Sequence, residues 1–560
     1  MLHNFFRKRS RGYEIDPDEI LLDAENLPAF DRERFEGRLE RPLGQRTILV
    51  FAIFCLWGAF LLVGKTYALQ VVNGDFYSKQ SENNRLEHTL VFGERGRIID
   101  RNDVVLAENE IKEGEGFSKR RYIDLPGLAH VVGYVSYPKK DSAGFYWEES
   151  VVGKDGAEKA FDEILSGTTG LKIIETDVAG NVKSESVFKP PQNGKDIKLS
   201  IDSSLNSAFW GYLKDLSEQN GFTGGGGVIM DIRTGELLSL TSFPEYNSQI
   251  LTDGKDSQKI SGYLKNERMP FLDRVVSGLY APGSIVKPFL ALGALEEKLI
   301  SPEREIVSKG SIEVPNPYAL GEKSVFLDWK AHGPVDMKKA LAISSNVYFY
   351  SIGGGYENQK GLGINNIEKY MRLFGFGAAS GIDLPNEEEG VIPNPSWKAK
   401  NFGGEAWRLG DTYHTAIGQY GFQVTPIQAV RGVAALGNGG YLLTPSILSG
   451  ISENSPKKLL ISKENLNTIL LGMREAVREG TATGLDIPQV PILAKTGTAE
   501  VGITKKSVNS WVIGLFPYPE PRYAFAVIME KGPRENTVGA LYVMRQVLEW
   551  MAIYRPEYLK

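Results

Sequence analysis

One stretch of this chain stands apart in its hydrophobic pattern. Residues 47–64, TILVFAIFCLWGAFLLVG, carry no charge, and apolar residues continue past Lys65 through Tyr67, Ala68, Leu69, Val71 and Val72. A run this uniform has no polar face to turn towards water. It predicts a membrane-spanning helix over residues 47–72 and not an amphipathic core helix. Lys65 can snorkel. The run follows a long charged segment and precedes no small-x-small site, which argues against a cleaved signal peptide. Arg34, Arg38, Arg41 and Arg46 precede it closely, while Lys65 and Lys79 follow it. The positive-inside bias then predicts residues 1–46 in the cytoplasm and the remainder outside.

Beyond the run the pattern is mixed until about residue 194. Residues 86–109 read as strands around an Arg-Gly turn, and 128–135 as an apolar run ending in a strand. Residues 156–166 read as a helix, and 171–188 as a strand pair broken at Ala179-Gly-Asn181. The charged, glycine-containing stretch 110–121 reads as a loop. Lys189-Pro-Pro-Gln-Asn-Gly-Lys195 is turn-rich and marks a domain boundary. After it come a short strand at 197–201 and an amphipathic helix at 204–220, with Leu205, Phe209, Tyr212, Leu213 and Leu216 on one face. GVIMDI turns at Arg233-Thr-Gly235 into ELLSLTS, one hairpin. SWVIGLF and RYAFAVIME make a second near the C-terminus, and residues 539–554 close as a helix. Strands at both ends with a helical middle predict an α+β fold, one antiparallel sheet packed by helices. The four glycines 224–227 are not a phosphate loop, because no Lys-Ser/Thr follows and the next element is a strand.

With 560 residues the chain exceeds what one core usually fills, so several domains are expected. The predicted organisation is a cytoplasmic tail (1–46), an anchor (47–72), a pedestal (73–194) and a larger domain (195–560). The tail starts with Arg7-Lys-Arg9 and Arg11, suited to anionic lipid, and its scattered apolar residues suit a linear segment that docks a cytoplasmic partner. A net charge of -5 gives no footprint for nucleic acid. One cysteine, Cys55, excludes an internal disulfide, and five scattered histidines show no metal-ligand spacing, so no metal or cofactor is expected.

Three short motifs carry the chemistry: Ser284-Ile-Val-Lys287, Ser344-Ser-Asn346 and Lys495-Thr-Gly-Thr498. Each is weak alone, but their order, with gaps of roughly 60 and 150 residues, describes a serine nucleophile, its proton shuttles and an anion-binding strand. A serine needs a base, and Lys287, one helical turn on, takes that position once desolvation lowers its pKa. A Ser-His-Asp triad stays open at this point. Ser344 is placed to relay a proton to a leaving amine, and Asn346 to bond a substrate amide and fix Lys287. Gly497 removes a side chain that would block substrate. The N–H groups of Ser284 and Thr498 form a candidate oxyanion hole, and Lys495 with Thr496 a carboxylate site.

These motifs resemble those of the class B penicillin-binding proteins. Arg95-Gly-Arg-Ile-Ile-Asp-Arg-Asn102 is similar to the family's signature after the anchor, and Gly153-Lys-Asp-Gly-Ala-Glu158 to its pedestal pattern. Asp231-Ile-Arg-Thr-Gly235, Gly410-Asp-Thr412, Gly418-Gln419, Thr425-Pro426 and Ser510-Trp511 resemble catalytic-domain landmarks. The resemblance implies a penicillin-binding transpeptidase fold with an N-terminal pedestal and a single transmembrane helix. It implies that Ser284 attacks the penultimate D-alanine of a peptidoglycan stem peptide and passes the acyl group to a neighbouring stem. β-Lactams would acylate Ser284 as inhibitors. It also implies a membrane-embedded SEDS-family glycan polymerase as partner. The pedestal looks compact, without the longer head of relatives. An elongation role is expected, with a division-type enzyme as the alternative. A β-lactam hydrolase would need a second base that no motif supplies, and a receptor or silent scaffold would not need all three motifs.

Overall fold

The computed structural model describes residues 44–78, 86–111, 116–142, 146–176, 182–316, 319, 321–450, 456–502 and 505–560. Residues 1–43 of the expected cytoplasmic tail and the Ala179–Asn181 turn lie outside them. The described chain divides into two compact units. In the first, the helix Gln45–Tyr67 continues through a π-helical turn, Ala68–Val72, and none of its residues is buried. At 1.5 Å per residue the 28-residue span runs about 42 Å, more than the roughly 30 Å of a bilayer's hydrocarbon. Among the described residues it is the one helix long and apolar enough to cross a membrane.

The second unit begins with the pedestal. Its four-stranded sheet runs in the order Ile197–Lys198, Ile98–Ile99, Val105–Glu110, Lys119–Tyr122. The strand just past the turn-rich linker thus completes this sheet, pairing in parallel with Ile98–Ile99. The stretch 110–121, expected as a loop, instead supplies strand ends, with Glu110 opposite Lys119. Its charges hid the strand because one of them faces inward. Arg120, 2% exposed, donates from Nε to Glu158 Oε1 at 2.7 Å. Arg95 reaches the other oxygen of Glu158 at 2.5 Å and Asp162 at 2.7 Å. The two pedestal motifs of the sequence therefore meet as one buried ion cluster. The run 128–135 forms a short helix, Ala129–Val132, before the strand Val135–Ser136, since an apolar run alone does not distinguish the two states.

The larger domain is built on a five-stranded antiparallel sheet. Its order is Leu237–Phe243, Gly224–Asp231, Tyr523–Pro533, Ser507–Phe516, Leu493–Val501. The hairpin that opens the domain pairs with the one near its end, Val228 opposite Ala526. Alternate residues of each strand face opposite cores. Ile229, Leu238 and Val527 pack under the helices Ser203–Asn220 and Ala540–Tyr554, against Leu205, Phe209, Val543 and Met551. Val228, Leu240 and Ile528 face the other way, towards Phe289 and Val430. Each fully buried side chain of this kind contributes about 1.5–3 kcal/mol. Covering both faces makes the strands continuously apolar. The glycine run serves the same packing. A Cβ at Gly227 would lie 2.1 Å from the Phe209 ring, so glycine lets helix and sheet close together.

Pedestal and larger domain join through satisfied polar contacts. Asp100 accepts from Ser203 N and Oγ at 3.1 and 2.7 Å. Glu245 accepts from the backbone N–H groups of Gly127 and Ala129 at 2.6 and 2.9 Å. Burial pushes the Glu245 carboxyl up to about 7 against those two bonds.

Candidate active site

Ser284 lies in a 3-10 turn, Gly283–Val286, that runs into the helix Lys287–Glu296. In a 3-10 turn positions three apart eclipse, which stacks Ser284 beside Lys287. Pro288 sits in the helix's first turn, where a missing N–H costs nothing. Ser284 is partly exposed, whereas Lys287 is fully buried.

The Lys287 ammonium is held by the second motif. Nζ donates to Ser344 O at 2.8 Å, Ser344 Oγ at 3.2 Å and Asn346 Oδ1 at 2.8 Å. Ser344 adopts φ +57° in a tight turn, and Ser345 then caps the helix Asn346–Gly354 by accepting from Tyr348 N. Ser345 thus caps a helix while its neighbours Ser344 and Asn346 hold Lys287. Lys495 approaches Ser344 Oγ from the third motif, also at 2.8 Å, and donates to Thr496 O at 2.8 Å. One hydroxyl therefore bridges two buried lysines. Burial lowers the Lys287 pKa to about 7, with Asp328 opposing the fall. Its place at a helix N-terminus adds to the cost of its charge. Burial, and then the nearby Lys287, holds Lys495 well below the usual lysine range. At neutral pH the pair has a neutral amine available as a base.

Leu493–Val501, the strand that carries the third motif, edges the sheet. Beside the role expected for it, Gly497 has a packing role in its surroundings. A Cβ there would lie 2.8 Å from Ile285 Cγ2 and 2.9 Å from Pro282 O, so glycine admits the catalytic turn itself. Gly283, at φ +55°, repeats the device from the other side, 2.6 Å from Thr498 O by the same measure. Trp511 Nε1 donates to Ala281 O at 3.0 Å and fixes the chain entering the turn. Thr498 is exposed beside Ser284's turn, while Thr496 Oγ1 bonds Thr481 Oγ1 at 2.6 Å.

Asp328 escaped the sequence reading. Its side chain is fully buried and its carboxylate accepts from Ser345 Oγ at 2.7 Å, Asn346 N at 2.8 Å, Val347 N at 3.1 Å and Ser308 Oγ at 3.0 Å. It shapes the turn that presents Ser344 and Asn346. A single acid between apolar residues gives no spacing signal; only the fold carries it there. Among the described residues no histidine hydrogen-bonds to the motif side chains, and His332 stands instead 3.8 Å from Asp328.

The arrangement sets a partly exposed serine beside two buried lysines that share one serine hydroxyl, next to an edge strand. A sequence model described as the penicillin binding protein transpeptidase domain matches residues 225–549, which include all three motifs. This chain belongs to the penicillin-binding protein family. The model of the family's dimerisation domain matches residues 115–199 of this penicillin-binding protein, within the pedestal region. Peptidoglycan D,D-transpeptidase MrdA of Acinetobacter baumannii is 32% identical, over 74% of this chain and 63% of its own length. MrdA of Escherichia coli K12 is 30% identical, over 78% of this chain and 72% of its own. A solved Helicobacter pylori PBP2 in complex with MreC superposes with a TM-score of 0.69 at 27% identity, covering 83% of this penicillin-binding protein and 99% of that chain.

Proposed function

We propose that this chain is an elongation-type peptidoglycan D,D-transpeptidase that works through a serine acyl-enzyme. The observation that carries the mechanism is the convergence of Lys287 and Lys495 on the Ser344 hydroxyl, with the Lys287 pKa brought to about 7. Ser284 Oγ attacks the penultimate D-alanine carbonyl of a donor stem while neutral Lys287 takes its proton. The N–H groups of Ser284 and Thr498 receive the oxyanion. The C–N bond breaks, and a proton passed through Ser344 leaves with the terminal D-alanine amine. An acceptor amine then attacks the ester, its proton returns through the same groups, and Ser284 is released. Thr496 and Thr498 suit the donor's carboxylate. Lys495 is buried and bonded to Ser344, so it serves that anion through the field of its charge and through the relay.

The apolar N-terminal helix anchors the chain in the cytoplasmic membrane, its N-terminus inside and the catalytic domain outside. An MreC-like protein and a SEDS-family polymerase are the partners that fit. The test is labelled penicillin on the purified full-length chain, followed by peptide mapping. Label on the peptide carrying Ser284, abolished in Ser284→Ala, is expected. Label elsewhere, or D-alanine release from a pentapeptide by Ser284→Ala, sinks the assignment. Depletion in cells should round them; filaments would overturn the elongation role.

A further inference from the structure

The segment that buttresses the catalytic turn also carries a cluster of surface aromatic rings. Gly283 N donates to Gly418 O at 2.9 Å, and Tyr280 and Val424 exchange backbone bonds of 3.0 and 2.9 Å. Between these two anchor points stands Tyr420. Its ring lies 5.9 Å from that of Trp397, 5.7 Å from Trp407 and 6.1 Å from Phe402, centroid to centroid. The Phe402 and Tyr420 planes are within 7° of parallel. Phe402 is 46% exposed, and the other three rings are partly exposed.

Two features set this patch apart from stray surface apolar residues. Tyr420 holds φ +63°, a conformation suited to glycine, although glycines stand one residue on either side of the Gln419-Tyr420 pair. Its ring lies beside the buried Lys398, whose Nζ stands 5.8 Å from the ring centroid and pairs with Asp411 at 2.7 Å. The ring is therefore held in place at the surface. A cavity of about 380 Å³, lined by Gln419, Tyr420 and Gln423 and also by Ala281 and Glu500, lies between the patch and the catalytic turn. Lys400 and Asn401, just before Phe402 in the chain, are exposed, and Lys531 lines the cavity with Gln419 and Gln423.

We propose that these rings form a sugar-stacking subsite for the glycan strand, a β-1,4-linked polymer of N-acetylated amino sugars, that bears the stem peptide entering the site. The proposal rests on the transpeptidase reading above. A pyranose with equatorial substituents presents its axial C–H bonds to the electron-rich faces of aromatic rings. The amide and ammonium groups of Gln419, Gln423 and Lys531 along the cavity suit its hydroxyl and acetamido oxygens. Stacking reads no sequence, so the strand can take any register along the patch. Sugar is favoured over a protein partner by continuity with the catalytic turn, because the glycan is covalently part of what that turn must receive.

The test uses the full-length chain in detergent, with chitohexaose and amidase-stripped glycan strands as probes, read by calorimetry. Phe402→Ala removes the most exposed ring. Tyr420→Gly removes a second ring with a residue that suits the left-handed backbone, and thermal melting confirms that each variant is folded. Both are expected to weaken glycan binding at least tenfold. They should also lower turnover of glycan-linked stems relative to free stem peptides by a similar factor. Equal affinity in all three proteins, or no binding by the unmodified chain, overturns the subsite. Penicillin labelling of the same unmodified sample separates the two claims: absence of label on Ser284 refutes the transpeptidase reading, whereas label with ring-independent glycan binding refutes the subsite alone.

Discussion

Replacing Asp328 by asparagine tests the catalytic geometry most sharply, because it changes one atom and one charge. Every group bonded to this carboxylate is a donor. Oδ1 accepts from Asn346 N and Trp329 N, and Oδ2 from Ser345 Oγ, Ser308 Oγ and Val347 N. The serine hydroxyls can rotate to accept, but backbone N–H groups cannot. An asparagine amide therefore confronts at least one backbone donor in either orientation. A buried donor without an acceptor costs about 1–3 kcal/mol. If that loss falls on the turn holding Asn346 against Lys287, acylation slows by about 5- to 150-fold. The charge has a separate effect. Asp328 raises the Lys287 pKa against burial, so its removal lets that pKa fall below about 7. Lys287 must be neutral to act as base, so the acid limb of acylation moves to lower pH while the plateau drops. Stopped-flow acylation by a fluorescent penicillin between pH 5 and 9 reads both. An unchanged plateau, or an acid limb that stays or moves up, refutes the reasoning.

Three further outcomes are expected. Glu158→Gln leaves Arg95 and Arg120 buried without their shared carboxylate; by analogy with broken buried ion pairs the loss is about 3–5 kcal/mol, seen as a lower melting temperature, and a shift under 1 °C would refute it. Gly497→Ala drives a methyl group into Ile285 and Pro282, so penicillin acylation should fall at least tenfold while the circular dichroism spectrum is kept; full labelling would show that strand and turn part freely. The Glu245 carboxyl is pushed up to about 7 in the folded chain from an ordinary value of 4.5, so the folded state binds its proton more tightly than the unfolded state does. That contribution is fully present below pH 4.5 and is lost as pH rises to 7. Melting temperatures across this range should show the loss in the unmodified chain and not in Glu245→Gln, and parallel curves would exclude it.

The catalytic motifs were legible because chemistry constrains their order and spacing, and the anchor because a bilayer demands an unbroken apolar run. Strands covered on both faces were legible as continuous hydrophobic stretches such as GVIMDI. What escaped was set by long-range packing. Arg120 reads as one charge in a charged loop until Glu158 is seen beside it. Asp328 carries no local pattern, since its donors come from residues 308 and 345–347 as well as its neighbour. Gly497 was legible from its motif, but its close packing was not, because Ile285 and Pro282 lie more than 200 residues earlier.

The central strand pairing bears on how this enzyme is born. Val228 and Ala526 are neighbours in the sheet but lie roughly 300 residues apart along the chain, a separation that makes closure slow. Lys495 reaches Ser344 only on a strand that is itself held by this late hairpin. A chain made from its N-terminus onwards therefore completes the Ser284 and Ser344 segments long before Lys495 can reach Ser344. Removing only the last hairpin would leave Lys495 without the strand pairing that brings it to Ser344.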